Sequence, residues 1–514
     1  MAKIFNSVKG SRVRRNVFNL SHENKLSCNM GELIPIFLQE VVPGDTFRVD
    51  SEIMMRFAPL LAPVMHRINV YVHFFYVPNR LVYSGWERFI AGDENEVLPY
   101  INSNSAVASI PTIFNHGSLA DYMGVPDLSG NIGDGIRINS LPFRAYQLIY
   151  NEYYRDQDLS PEVMFSRVGG AETEYVLLLK RYRAWEKDYF TSARPWAQKG
   201  DAVQLPVAEG SLVYNPSGLG SRVRDKLDGS IVSTSGDLVD ALGMVRHDVS
   251  GADVDIDVSN SHDVSVTAGT INELRRAFQL QKWLERNART GTRYTELLLA
   301  HFGVKSSDSR LQRPEYLGGG RQAVQISEVL QTSEATATSP LGEMAGHGIS
   351  VGRSNRFKRF FEEHGYVLGI MSVVPRTAYY QGLPRHLQKS DKFDFFWPEF
   401  EHIGEQAIKN SEIYFSGEQN LDNDTFGYAP RYSEYKYVPT QVHGDFRNTL
   451  EFWHLGRKFD SLPQLNNTFV ESNPSNRIFN VTDSDVHKLW VQVYHNVKAI
   501  RPMSVFGEPG LIDH

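Results

Sequence analysis

The chain has 514 residues, 41% of them hydrophobic and 22% charged, with a formal charge of −7 at pH 7. One core rarely grows past about 250–300 residues, so this length predicts two domains or one core carrying large insertions. Average Gly and Pro contents exclude a fibrous or disordered chain, and no run nears the roughly 18 apolar residues of a membrane span, so no membrane insertion is expected.

Residues 1–22 contain Lys3, Lys9, Arg12, Arg14 and Arg15 and no acid. They predict a basic N-terminal arm over 1–30 that lacks the apolar core of a signal peptide. Such an arm suits contact with DNA phosphates, and Phe5 and Phe18 are available to stack on bases. The single cysteine, Cys28, can form no internal disulfide, which fits assembly in a reducing cytoplasm. It is expected in a polar stretch ahead of the first strand.

Strand-like runs follow at 32–42, 47–57 and 67–77. The first two are joined by Pro43-Gly44-Asp45, where proline presets φ and glycine accepts positive φ. The third, RINVYVHFFYV, is dense in β-branched and aromatic residues and is closed by Pro78-Asn79. It predicts a strand in the middle of a two-sheet core.

The middle of the chain changes period. Leu141–Asp156 and Thr270–Arg289 read as helices, the second with Thr270 and Glu273 spaced as a capping box. Ile271, Leu274, Ala277, Phe278, Leu284 and Ala288 share one arc of it, predicting one buried face. Tyr294–Phe302 predicts a shorter helix that stops at Gly303. Strand-like runs return at Tyr366–Val374, Glu412–Phe415 and Lys488–Ile500. Strands at both ends with helices and loops between them predict a mainly β fold, a Greek-key sandwich with inflated connections. The strand–helix alternation of a doubly wound α/β fold is absent.

Residues 207–268 stand apart. They hold one aromatic, Tyr214, and ten acids against Arg222, Arg224, Lys226 and Arg246, which is nearly all of the net negative charge. In ADVDIDV, Asp253, Asp255 and Asp257 alternate with Val254, Ile256 and Val258, which predicts the wet face of a strand. Val258 and Val264 stand where an EF-hand needs glycine and glutamate. A structureless loop this long is unusual inside a compact domain, so the segment is expected to project outward or to have structure of its own.

Enzyme signatures lack their contexts. Gly348-Ile349-Ser350-Val351-Gly352 matches a nucleophile elbow, but SPLGEMAGHG before it reads as loop where a strand is required. Gly318-Gly319-Gly320 lacks the lysine of a phosphate loop, and the sixteen histidines show no metal-ligand spacing. Glu399, Glu401 and Glu405 would make a glycosidase pair only at a suitable separation. No catalytic residue, cofactor or metal is expected. The competing expectation from another class is a jelly-roll carbohydrate-binding protein or glycoside-active enzyme.

Longer blocks carry a resemblance. The stretch from Gly31 to Ile90, with Leu141–Leu159, Asp188–Gly200, Ile271–Gly320 and Phe393–Ile408, resembles the major capsid proteins of the gokushovirus-like microviruses, small tailless icosahedral single-stranded-DNA bacteriophages, block by block and in order. The resemblance implies an eight-stranded viral jelly roll over 31–514 with long inter-strand insertions. It implies a T=1 shell of sixty identical subunits around circular single-stranded DNA, assembled in the host bacterial cytoplasm. Its further implied partners are a minor DNA-pilot protein, a small basic internal protein and a host surface receptor. In that family an insertion placed like 207–268 forms a three-fold protrusion, which makes Asp237, Asp240, Asp253, Asp255 and Asp257 candidates for host attachment.

Overall fold

The computed structural model describes residues 15–102, 113–127, 136–173, 175–203, 211–214, 223–225, 254–256, 262–265, 270–330, 344–483 and 485–505. The chain divides into two compact units, 1–197 with 287–514, and 198–286.

Two antiparallel sheets make the centre of the first unit. In chain order their strands are β1 (Asn16–Asn19), β2 (His22–Cys28), β3 (Ile34–Val41), β4 (Thr46–Phe57), β5 (Ile68–Pro78), β6 (Glu315–Ala323), β7 (Gln325–Leu330), β8 (Met344–Phe360), β9 (Gly365–Pro375) and β10 (Leu489–Arg501). One sheet is ordered β1-β10-β4-β8-β7, with β2 also paired to β10; the other is ordered β6-β5-β9-β3. The mainly β expectation holds, and the long strands fall where hydrophobic alternation puts them. Between β3 and β4, Gly44 takes φ 92° and the Asp45 amide donates to the Val42 carbonyl at 3.0 Å. The proline–glycine turn thus forms as its chemistry requires.

The inner faces of the two sheets meet in one core. Phe47, Val49, Ile53, Met55 and Phe57 of β4 and Leu489, Val491, Val493 and Val497 of β10 pack against Val70, Val72 and Phe74 of β5 and Val367, Met371 and Val373 of β9. The other face of the four-stranded sheet is also covered. Phe75, Val77, Leu368 and Ile370 lie under α1 (Leu141–Ile149) through Phe143, Tyr146 and Ile149. Every residue of β9 is therefore buried. Arg144 of α1, 1% exposed, anchors this cover: its Nε–H donates to Glu172 at 2.6 Å, and its other two nitrogens donate to the carbonyls of Val82 and Val168.

Four local expectations need correction. The helix at 141–156 is α-helical only to Ile149 and continues as a π-turn over Tyr150–Tyr154, closed by the Arg155 amide on the Tyr150 carbonyl. The extra residue lets the Asn151 amide group bond the Val163 carbonyl and amide, at 2.9 and 3.0 Å. Glu412–Phe415 is not a strand: Asn410–Ile413 form a helical turn because the Glu412 carboxylate accepts from the Lys409 amide, as a capping residue does. Cys28 ends β2 and is 1% exposed in the core, so its neighbourhood is not a polar prelude. Residues 344–348, expected as loop, belong to β8: they pair with β7, the strand just before it, and the rest of β8 pairs with β4, which lies far off in sequence.

In the second unit, Ser211–Tyr214 pairs with His262–Ser265 and Val223–Asp225 pairs with Val254–Ile256, both antiparallel. The unit also contains most of α2 (Ile271–Thr290). The capping box forms, with the Thr270 amide on Glu273 at 2.8 Å and the Glu273 amide on Thr270 at 3.2 Å. The expected buried face does not. Ile271 and Phe278 are 71% and 61% exposed, and only Asn287 and Ala288 of the helix are buried. Helical periodicity marks a face that requires a cover without saying who supplies it. The following helix, α3 (Tyr294–Phe302), stops at Gly303 in the left-handed conformation, as expected.

Candidate nucleic-acid and assembly surfaces

Of the five arm cations, Lys3, Lys9, Arg12 and Arg14 lie outside the described residues. Arg15 lies just before β1 and is exposed, its guanidinium carbon 5.3 Å from the centroid of the Phe360 ring. Asn16–Cys28, inside the stretch expected as an arm, are strands paired to β10. The chain therefore reaches the outer face of the six-stranded sheet at Arg15. Asp237, Asp240, Asp253 and Asp257 lie outside the described residues. Asp255 sits in the central register of Val254–Ile256, opposite Arg224.

The sites that could have been catalytic are engaged structurally. Ser350 lies within β8, with strand on both sides, and is 2% exposed. Its hydroxyl donates to the Ala323 carbonyl and accepts from the Gln322 amide, both at 3.0 Å. A nucleophile elbow requires a helix after the serine, and none follows. Glu401 faces Lys436 at 3.7 Å, and Glu405 is held by Arg289. Burial pushes the Cys28 thiol far up, with Glu32 adding to the rise, so it stays protonated. Among the described residues, no group of three or more His, Cys, Asp or Glu is placed to hold a metal ion. No helix among them is long and apolar enough to cross a membrane.

A cavity of about 700 Å³ opens beside the outer face of the four-stranded sheet, near His73, Tyr154, Trp185 and Tyr316. Its carboxylates carry counter-ions: Asp156 meets Lys187 at 2.5 Å and Arg194 at 3.7 Å, Asp158 meets Arg194 at 2.6 Å, and Asp308 meets Arg313 at 3.0 Å. Burial alone would raise Asp156, but Lys187 and Arg194 outweigh it and hold the carboxyl below its usual range. Burial holds His73 neutral, its pKa lowered to about 4. A carboxylate kept ionised by two cations does not serve as a general acid at neutral pH.

What the surface offers instead is uncovered apolar area. Besides the α2 arc, Phe393, Phe395, Phe396 and Trp397 are each 44–53% exposed, in the 3₁₀ turns around Pro398. Patches of this kind mark contact surfaces. In sequence these aromatics belong to the Phe393–Ile408 block, and their outward facing comes from the fold. The outward residues of β4 and β10 carry a sequence signal of their own, the period-2 alternation with core positions in TFRVDSEIMMRF and LWVQVYHNVKAI.

The whole chain compares with known proteins in one direction. Residues 6–511 match the family described as capsid protein (F protein). The sequence is 37% identical to capsid protein VP1 of Bdellovibrio phage phiMH2K, across 98% of this chain and 97% of that one. It is 34% identical to capsid protein VP1 of Chlamydia phage 1, across 99% and 98%, and 31% identical to capsid protein VP1 of Spiroplasma virus 4, across 99% and 97%.

Proposed function

The chain belongs to the phage capsid protein (F protein) family and is a structural virion protein rather than an enzyme; from that premise we propose that sixty copies close into a T=1 icosahedral shell around circular single-stranded DNA. The observation that carries this reading is the end-to-end match with capsid proteins of phages, over residues 6–511. Closed shells need repeated heterologous contacts whose rotations close, and the bare apolar residues Ile271, Phe278, Phe395 and Trp397 suit such contacts. The strand orders β2-β10-β4-β8 and β3-β9-β5-β6 interleave as the two sheets of an eight-stranded jelly roll do, and we read them so.

The arm residues Lys3, Lys9, Arg12, Arg14 and Arg15 meet the genome in this reading. The acidic segment 207–268 faces outward as a three-fold protrusion used in host attachment. Its charge would repel a polyanion across a Debye length of about 8 Å at physiological salt, and ten acids could not be buried against four bases. The minor DNA-pilot protein and the small basic internal protein complete the particle. Electron microscopy of purified particles, with nuclease-protection of their contents, is the test. Uniform small shells containing protected single-stranded DNA are expected; the absence of shells refutes the proposal. Replacing 216–267 by a short Gly/Ser linker should leave shells intact and abolish attachment, and normal adsorption by such particles would remove the attachment role.

A further inference from the structure

Among the described residues, little covers the outer face of the six-stranded sheet. In β4 and β10 every second residue is buried, and between them Arg48, Glu52, Arg56, Trp490, Tyr494, Lys498 and Ile500 are exposed. The registers place like charges side by side: Lys498 of β10 lies opposite Arg48 of β4, and Arg48 lies opposite Lys358 of β8. Residues so paired have Cβ atoms about 4.5–5.5 Å apart, and like charges there destabilise a sheet. No ion pair among the described residues neutralises this row. The acids of the face are engaged elsewhere, Glu23 beside Lys25 at 3.9 Å, and Asp50 and Glu52 on Arg353 at 3.5 and 2.9 Å. Arg48, Arg56, Arg356, Lys358 and Lys498 make no ion pair among the described residues.

Aromatic rings are set among these cations. Trp490, opposite Arg56, is 48% exposed, Tyr494 is 40% exposed, and Phe360 at the end of β8 is 45% exposed beneath Arg15. Unpaired cations in rows with rings between them are what a sheet needs to hold single-stranded nucleic acid, phosphates on the charges and bases on the rings. An apolar partner would strand the cations without counter-charge, and a basic one would be repelled. The basic arm reaches the same face at Arg15.

We propose that the Lys498–Arg48–Lys358 row, with Trp490 and Tyr494, is a single-stranded DNA-binding surface, so that this sheet rather than the four-stranded one forms the genome-facing wall. The proposal deepens the function proposed above and rests on it. A positively charged sheet face of this kind binds without sequence preference, because every base presents a π-face and every nucleotide a phosphate.

The test titrates full-length protein with oligo(dT) over a salt series. The variants are the triple Arg48→Gln, Lys358→Gln, Lys498→Gln and, separately, Trp490→Ala. The triple variant should flatten the plot of log affinity against log salt by up to about 2 units, because each phosphate contact on a single strand contributes about 0.7. Trp490→Ala should weaken binding about tenfold and leave the slope alone. Circular dichroism and imaging of shells assembled without DNA separate folding and assembly from binding. An unchanged slope in a folded triple variant overturns the proposal. So does a triple variant that folds but no longer assembles, since the face would then meet the acidic or polar surface of a neighbouring copy. Wild-type shells lacking protected DNA would instead refute the proposed function, while the oligo(dT) titration still judges the face.

Discussion

The two sheets share one core and differ in what lies behind them. β9 is buried along its whole length because α1 covers the outer side of its sheet, whereas β4 and β10 alternate strictly between core and solvent. The same contrast appears in composition. The covered face presents Phe75, Val77, Leu368 and Ile370, and the open face presents arginine, lysine, tryptophan and tyrosine, with the acids Asp50 and Glu52 paired to Arg353. One outer face has been assigned to the subunit's own stability, and the other has been kept free at the cost of like charges in register. A surface left in that state in a shell protein is kept for something outside the subunit.

Side-chain removal on the two faces puts the comparison at most risk. Phe75, 1% exposed and 4.8 Å from the Tyr153 ring, should cost about 3–5 kcal/mol on mutation to alanine. Tyr494→Ala on the open face should shift stability by no more than about 0.5 kcal/mol. Denaturant midpoints of the two variants measure this, and equal losses would show that the open face is also structural.

The next effect sits between the sheets. His495 is fully buried, accepting from the Ser51 hydroxyl at 2.7 Å and donating from Nε2 to the Ile36 carbonyl at 2.9 Å. Burial lowers its pKa to about 4. The unfolded chain, with an ordinary histidine, takes up the proton first as the pH falls. Stability is therefore complete above about pH 6.5 and is lost as the pH drops toward 4, by roughly 3 kcal/mol from this residue. Unfolding curves of wild type and His495→Gln at pH 7 and 4.5 should differ in their pH dependence by about 2.5 kcal/mol. Parallel losses would mean that other groups carry the acid sensitivity.

The smallest effect sharpens the contrast most. Lys358→Gln alone should leave stability unchanged or raise it by up to about 0.5 kcal/mol, because it removes a like charge opposite Arg48. A clear loss of thermal stability would mean that the row is satisfied within the subunit.

Local pattern alone determined much of this protein. Alternation in 47–57 and 488–500 and the dense apolar run at 67–77 located core strands to within a residue or two, because one-sided burial imposes a period of two. Thr270 with Glu273 fixed a helix start through bonds between residues three apart, and the resemblance of long blocks identified the family. The tertiary structure decided the rest, where the partner is remote. Residues 344–348 read as loop and became strand only by pairing with Ile326–Leu330, on the far side of residues 331–343. Polar HENKLSC became β2 because β10, more than 450 residues away, offered it a ladder. Glu412 turned its segment helical through a single carboxylate bond. The row of Lys498, Arg48 and Lys358 exists only in register: three unremarkable charges in sequence become neighbours when three strands align.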